Sequence, residues 1–560
     1  MLLNRSDYIA KSFQFLDGRQ FNKLDHDPTK SFQGKVQRCL LKMKKVFDKN
    51  TYKRLYPSSS QPGLFFGLAK IHKLRENSNI VDDLPIRPVI SNIGTATYEI
   101  SKYLANLLSP LTKSEYTISS TKEFIQRLKS KSIDPNYDMV SFDVTSLFTN
   151  VPLNYTIEVI LDKIFKEKLI TTKLSRDNFK QLLELCTKEM HFSFNGDIYK
   201  QKDGVAMGNP LGPVLANIFM VELENKLVPT LSGKMSLWYR YVDDTFTFIK
   251  KDELENVKSV LNDFHEDIKF THEIEHNNII SFLDVSVIKK VNGSFSTEVF
   301  RKKTDTNVYI NWKAFAPRSW KIGTLKGLFR RAYLVCSETK GLNKELNYLK
   351  YVFTNVNAYP KKVVNSTLNN VTKAIEREKA LDISRTNENP GVQANANIEL
   401  TNESYPHICL PYKGREGENT VKKLKRCLNN FLPNEVIPRF TYKSKKTGSF
   451  FAIKDKIKSE HQTDLVYSYK QNNSEVIDYI GETNVRFESR IYEHCNTDKK
   501  SSVYKEAQST GCNVSPNDFQ VLAKGYPKTR DRKIAEALYI KEFKPRLNEQ
   551  VASYKLKLFN

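Results

Sequence analysis

Nowhere in the 560-residue chain do 18 apolar residues run together, so no membrane-spanning helix is expected. The opening stretch MLLNRSDYIAKSF holds too short an apolar run for a secretory signal. Cysteine is scarce and scattered. The seven residues Cys39, Cys186, Cys336, Cys409, Cys427, Cys495 and Cys512 form no CxxC pair, which argues against a disulfide framework or zinc ribbon and for reduced thiols in an intracellular compartment. Acidic residues are outnumbered, 63 against 88 Lys and Arg, and the formal charge of +25 is spread along the chain instead of confined to a tail. Such a surplus points to a polyanionic partner with a long footprint; a basic protein without one is the plain alternative. No internal repeat is visible. Core material, by contrast, is ample at 39% hydrophobic and 11% aromatic residues, and this length exceeds one core, suggesting about three to five domains.

Residues 1–60 carry helical periodicity, as in FQGKVQRCLLKMKKVF, and end in the turn cluster YPSSSQPG. From about 61 to 290 strand-like and helix-like segments alternate. HFSFNGDIYKQKDG places Asn195-Gly196 between alternating aromatics, a strong hairpin signal. Residues 291–380 turn basic and helical, and the polar, Asn-rich SRTNENPGVQANANIELTNES at 384–404 reads as a linker. A basic stretch containing VKKLKR follows, and a compact α/β pattern begins near residue 464.

The chemistry starts at 239–248, YRYVDDTFTF, where Asp243 and Asp244 interrupt a run of aromatic and β-branched residues. Unpaired carboxylates in a half-buried strand cost several kcal/mol or shift their pKa, so a partner is required. Asp143 in YDMVSFDVTSLFTNVPL is the counterpart, an acid reached by an apolar strand-like run. Three carboxylates at strand ends suit two hard Mg²⁺ ions, and ions about 4 Å apart are the clamp used for phosphoryl transfer. Solvation of a turn would account for one such site, but poorly for two.

These segments resemble reverse transcriptase motifs: FDVTSLFTNVP motif A, QKDGVAMGNPLGPVLANIFM motif B and YVDD motif C. The wording, with FFGLAKIHK, PIRPVIS and SFLDVSVIKK, is similar to Penelope-like retroelements, relatives of telomerase, over roughly residues 20–380. The resemblance implies that Phe148, five positions after Asp143, is a steric gate for deoxynucleotides, with a core phenylalanine as the alternative. It implies that Met207 lies by the incoming nucleotide, that Gly208 and Gly212 with Pro210 and Pro213 fix a loop where backbone approaches a base pair, and that Lys70 and Arg87 contact the triphosphate, unless they are solvated loop cations. By the same resemblance Lys269 in DIKFTHEIE is a motif D lysine protonating pyrophosphate, FLDVSVIKK is the primer grip, and Trp312, Arg318, Trp320, Lys321, Lys326, Arg330 and Arg331 belong to a thumb whose cations meet duplex phosphates. Helical packing accounts equally well for the tryptophans alone.

A second constellation follows the linker. TDLVYSYKQNNSEVIDYIGETNVRFESRIYEHC shows two strand-like runs and a helix-like segment with Arg490 and His494 four apart on one face; some fifty residues later come Glu536 and Asn548. A nucleophile activator, a metal ligand and a cation are what phosphodiester hydrolysis requires. The layout resembles the GIY-YIG nucleases, with LVY in place of GIY and YIG intact at Tyr479, Ile480 and Gly481. The resemblance implies that Tyr467 and Tyr479 flank the attacking water, Arg490 stabilises the pentavalent phosphate, and His494 assists as hydrogen-bond partner or base. Glu536 would bind one Mg²⁺ and Asn548 support the site. Leu465 and Val466 depart from the GI of the first box. Zinc is not expected: His407, Cys409 and Cys427 match no zinc spacing, and buried thiols are the simpler reading.

The resulting expectation is an α+β chain: a right-hand polymerase with fingers, an antiparallel palm sheet and a helical thumb, joined by a linker to a small α/β GIY-YIG domain. The boundaries are 1–60 for an N-terminal helical extension, 61–290 for fingers and palm, 291–380 for the thumb, 381–404 for the linker, 405–463 for a basic connector and 464–555 for the endonuclease. Its expected work is target-primed reverse transcription with template RNA, target DNA, RNA–DNA hybrid, deoxynucleoside triphosphates and Mg²⁺, two ions in the palm and one in the nuclease. No membrane takes part, and residence in the nucleus follows from the DNA substrate. The rivals are an RNA-dependent RNA polymerase and an inactive, domesticated RNA-binding scaffold.

Overall fold

The computed structural model describes residues 4–18, 20–70, 84–202, 204–388, 407–431, 439–444, 458–471, 474–526 and 528–548. The chain packs as two compact units, each assembled from separated segments: 1–113, 146–223 and 453–560 in the first, 114–145 and 224–452 in the second. The contiguous 61–290 block expected from sequence is thus divided, because the chain passes from one core to the other and back before residue 224. The C-terminal α/β segment shares a unit with the N-terminal one.

In the first unit, the periodicity noted at 32–47 forms the helix Thr29–Lys42, which buries Phe32, Val36, Cys39 and Leu40 on one stripe. These join Ile157, Ile160, Leu161, Phe179 and Leu182 in a helical core. A five-stranded sheet has the order Phe21–Leu24, Asp197–Gln201, His191–Phe194, Gly63–Ala69, Ile86–Ser91. The Asn195-Gly196 hairpin is present: Phe194 pairs with Asp197, and Asn195 (φ 49°) and Gly196 (φ 91°) supply the left-handed turn. The C-terminal part of this unit is a three-stranded antiparallel sheet, Tyr479–Thr483, Leu465–Tyr469, Phe519–Lys524, with the helices Phe487–Tyr492, Ser502–Thr510 and Thr529–Phe543. It meets the N-terminal segments through Arg486 Nε donating to the Ser60 carbonyl at 2.8 Å, Lys30 paired with Glu488 at 2.8 Å, and Gln61 Nε2 donating to Thr463 Oγ1 at 3.1 Å.

The second unit is built on a four-stranded antiparallel sheet in the order Met235–Tyr241, Asp244–Lys250, Tyr137–Val144, Phe270–Ile274. Five consecutive residues of Asp244–Lys250, Thr245 to Ile249, are buried, so this central strand is covered on both faces. A second sheet, Ile279–Phe282, Val285–Lys289, Phe295–Val299, carries FLDVSVIKK and shares a core with Phe124, Phe246 and Phe248. The helices Arg318–Val335, Thr339–Tyr351 and Lys361–Glu388 follow, closed around Leu325, Phe329, Leu349 and Phe353.

Two expectations are revised. The linker does not begin at 381: the helix continues to Glu388, since nothing before Asn389-Pro390 forbids it, and residues 389–406 lie outside the described residues. The connector holds a parallel pair of strands, His407–Pro411 and Arg439–Lys443, around the helix Gly414–Phe431. Its Cys409 and Cys427 are exposed, not the buried thiols expected, and among the described residues the helix Gly414–Phe431 buries none of its side chains.

Candidate active sites

In the second unit, apolar alternation in YDMVSFDV builds the strand Tyr137–Val144, and cross-strand register sets Asp143 directly opposite Asp244. Directly opposed residues on antiparallel strands have Cβ atoms about 5 Å apart and share a face. The next strand starts from the same pairing row, with Tyr241 opposite Asp244, so Val242 and Asp243 form the two-residue turn between Met235–Tyr241 and Asp244–Lys250. Val242 adopts φ 60°, a conformation that a β-branched residue avoids unless its surroundings impose it. Asp244 remains open to solvent, yet its carboxyl is pushed up to about 6, first by desolvation, then by the charges of Asp243 and Asp143, with Lys302 opposing. Asp244 thus feels the charges of both Asp243 and Asp143.

Among the described residues no three His, Cys, Asp or Glu side chains close into a ready-made metal cage. Mg²⁺ keeps several waters and takes one or two carboxylates together with substrate phosphates. The donor set, hard carboxylate oxygens with Asp143 and Asp244 directly opposed across the strands, fits such an ion.

Lys269 is exposed, and its ammonium donates to the Asn262 carbonyl at 3.1 Å; its own carbonyl accepts from Thr145, two residues beyond Asp143. Of the basic tract assigned to phosphate contact, Lys321 is a correction. It is buried, and its ammonium donates to the carbonyls of Trp312 and Ala314, both at 2.7 Å, because the preceding loop needs those oxygens satisfied. Arg330 pairs with Glu378 and Arg318 lies over the Trp312 ring, while Lys326 is exposed.

The residues assigned to the nucleotide lie in the first unit. Leu68 pairs with Arg87, and the Lys70 amide donates to the Pro85 carbonyl at 2.8 Å, so Lys70 and Arg87 sit at one end of the same ribbon, Arg87 exposed. The other end of its second strand clasps the AMGNP loop: Ile90 N–H donates to the Met207 carbonyl at 2.9 Å. Gly208 has φ 131°, and a methyl there would lie 2.2 Å from the Ile90 carbonyl oxygen, so no side chain fits. Phe148, half-buried, accepts from Val205 N–H at 2.8 Å and stands beside the same loop.

The C-terminal constellation also assembles. Leu465–Tyr469 pairs Tyr467 with Gly481 and Tyr469 with Tyr479. The Tyr467 hydroxyl lies 2.6 Å from His494 Nε2 and accepts from Arg490 Nε at 3.2 Å; His494 Nδ1 meets Ser501 Oγ at 2.5 Å. Gly481 is obligatory here, since a methyl would fall 2.6 Å from that tyrosine oxygen. The helix widens to a π turn at Glu493–Thr497, which carries His494 into the core, a local irregularity found often at functional sites. Burial and the Arg490 charge hold His494 down at about 3, so it is neutral at pH 7. Burial raises both tyrosines, and Glu536, itself buried on Thr529–Phe543, adds to the effect on each. Arg490 is ion-paired with Glu493 at 2.7 Å and Asp498 at 3.1 Å. Asn548 clamps the YIG strand from outside, accepting from Ile480 N–H and donating to the Ile480 carbonyl, each at 2.8 Å. Sequence reasoning missed Ser501, Glu493 and Asp498; their only signal was position, within one or two helical turns of His494 and Arg490.

Comparison with known proteins adds the following. No curated protein matches the chain. Among solved structures, apo telomerase from Candida tropicalis aligns at 14% identity over 52% of this chain and 60% of that one, with a TM-score of 0.36. Telomerase from Candida albicans, in complex with a fragment of telomeric RNA, aligns at 12% identity over 63% and 66% with a TM-score of 0.39, and the RNA-dependent RNA polymerase of a human picobirnavirus at 12% over 62% and 73% with 0.38. The chain thus spans about 60% of the length of the first of these, and likenesses this distant support no inference. Residues 308–369 match the animal helix-turn-helix domain, a span that contains the helices Arg318–Val335 and Thr339–Tyr351. Residues 84–277, which contain Asp143, Asp243 and Asp244, match the reverse transcriptase (RNA-dependent DNA polymerase) family: this segment of the chain is a reverse transcriptase domain.

Proposed function

We propose that the chain is a Penelope-like RNA-dependent DNA polymerase joined to a GIY-YIG endonuclease, working by target-primed reverse transcription in the nucleus. The observation that carries the polymerase reading is the opposition of Asp143 and Asp244 beside the Val242-Asp243 turn, with Asp244 raised to about 6. Two Mg²⁺ held by these oxygens would activate a primer 3′-hydroxyl and neutralise the leaving pyrophosphate. Asp143 and Asp244 present their oxygens from fixed strands, while Asp243 reaches from the turn. Lys70 and Arg87 hold the triphosphate, Phe148 rejects a 2′-hydroxyl, and the side-chain-free Gly208 lets backbone approach the base pair. Lys269 is the proton donor to pyrophosphate. The helix-turn-helix match favours nucleic-acid contact by the thumb.

The nuclease reading rests on the Tyr467–His494–Ser501 chain with Arg490 at its edge. One Mg²⁺ on Glu536 would polarise the scissile phosphate. His494 is neutral and accepts the hydrogen bond of the Tyr467 hydroxyl, which orients that tyrosine, and Arg490 meets charge developing on the phosphate.

Primer extension on poly(rA)/oligo(dT) with Mg²⁺ tests the polymerase: intact protein incorporates deoxynucleotide and Asp243→Asn does not. Equal incorporation by both would remove the palm assignment. For the nuclease, nicking of supercoiled plasmid should vanish in Glu536→Ala, and persistence would remove the metal role.

A further inference from the structure

Behind the carboxylate turn lies an ion pair that the proposed chemistry does not use. Arg240 and Glu224 are fully buried, both side chains at 0% exposure. Arg240 Nε and Nη2 donate to the two Glu224 oxygens at 2.5 and 3.2 Å, and Glu224 also accepts from Trp238 Nε1 at 3.1 Å and Ser114 Oγ at 3.0 Å. The remaining nitrogen, Nη1, donates to the carbonyl of Val242 at 3.0 Å. A buried pair of this kind adds little net stability over a well-packed apolar pair, because desolvation offsets the attraction. Its presence calls for another explanation.

Register supplies one. Arg240 pairs with Thr245 and Thr245 with Phe142, whereas Tyr241, Asp244 and Asp143 form the adjacent row. Side chains alternate across a sheet, so Arg240 lies on the face opposite the carboxylates and touches neither them nor a substrate bound there. What it reaches is the one carbonyl of the turn whose residue holds φ 60° against its own preference. Its main chain is pinned as well: Arg240 N–H donates to the Tyr116 carbonyl at 2.9 Å, and its carbonyl accepts from Ile118 N–H at 2.8 Å.

We infer that Arg240, locked by Glu224, is a positioning residue that holds the Val242 turn in its strained form and so sets the spacing of Asp243 from Asp143 and Asp244 for divalent-ion binding. This rests on the polymerase reading for its function, but the geometric claim concerns ion affinity and is measurable without turnover.

The test uses full-length Arg240→Lys and the double variant Arg240→Met/Glu224→Leu, which keeps volume and leaves no unpaired charge. Mn²⁺ binding is followed by electron paramagnetic resonance, and the Mg²⁺ concentration for half-maximal primer extension is followed in parallel. Groups that orient ligands are typically worth about ten- to a hundred-fold in metal affinity, so both variants should lose about that much for Mn²⁺, recover turnover at high Mg²⁺, and leave the KM for deoxynucleotide within about twofold. Adding Val242→Gly should restore much of the loss, because glycine takes positive φ without support. Wild-type Mn²⁺ affinity in a folded variant overturns the inference, as does a loss that Val242→Gly leaves untouched. Normal Mn²⁺ behaviour in wild type without primer extension would instead overturn the polymerase reading and leave the positioning role standing.

Discussion

Thr245 is fully buried beside Arg240, and its hydroxyl finds no partner among the described residues. An unmet buried hydroxyl is a standing cost, so Thr245→Val should leave stability unchanged or raise it by about 1 kcal/mol in urea unfolding, with primer extension near wild type. Asp244 makes the opposite kind of prediction. Its folded value near 6 exceeds the ordinary carboxylate value, so the folded chain holds that proton more tightly than the unfolded one. The penalty is fully present above about pH 6 and fades as pH falls towards 4. Asp244→Asn should therefore melt higher than wild type at pH 7.5 without divalent ions, the gap closing near pH 4, while Mg²⁺ should raise the melting temperature of wild type more than that of the variant. At His494 the sign reverses: its value is depressed to about 3, so stability that depends on the neutral ring is complete above about pH 6.5 and lost as pH falls towards 3. His494→Gln should flatten that limb of a pH–melting curve.

At the scale of elements, Asn548 ties an irregular C-terminal stretch to the middle of Tyr479–Thr483 with two hydrogen bonds to a single residue. Asn548→Ala should speed amide exchange at Ile480 and lower nicking, with primer extension intact. How much of this was legible varied with the kind of signal. Asn195-Gly196 between aromatics is a local signal, and the hairpin forms where its pattern placed it; of the paired acids, Asp243 lies in the turn and Asp244 opens the following strand. The positive φ of Val242 was invisible, because valine normally argues against it. Arg240 and Glu224 were passed over for a related reason: sixteen positions apart, they become neighbours only when a helix packs behind a strand. Lys321 misled because a lysine in a basic tract looks the same whether its ammonium faces phosphate or two carbonyls. The helix to Glu388 outran its composition, since polar residues end a helix less surely than Pro390 does.

Taken whole, the two groups of candidate residues fall in different units. The carboxylates Asp143, Asp243 and Asp244 belong to one unit, while the C-terminal constellation shares a unit with residues from the N-terminus. Truncation after residue 452 should therefore harm more than nicking: it leaves the buried Ser60 carbonyl without Arg486 and Lys30 without Glu488. The shortened chain should melt lower and show faster amide exchange around Ser60, and an unchanged melting curve would count against the packing described. A further consequence concerns order of synthesis. The unit drawn from 114–145 and 224–452 has its whole complement once the ribosome has released residue 452, whereas the unit that holds residues 1–113 must wait for residues 453–560. During translation residues 1–113 are thus left with an incomplete partner set, and slow elongation or a premature stop beyond residue 452 would leave them, made before the other two parts of their unit, as the segment most exposed to chaperones and proteases.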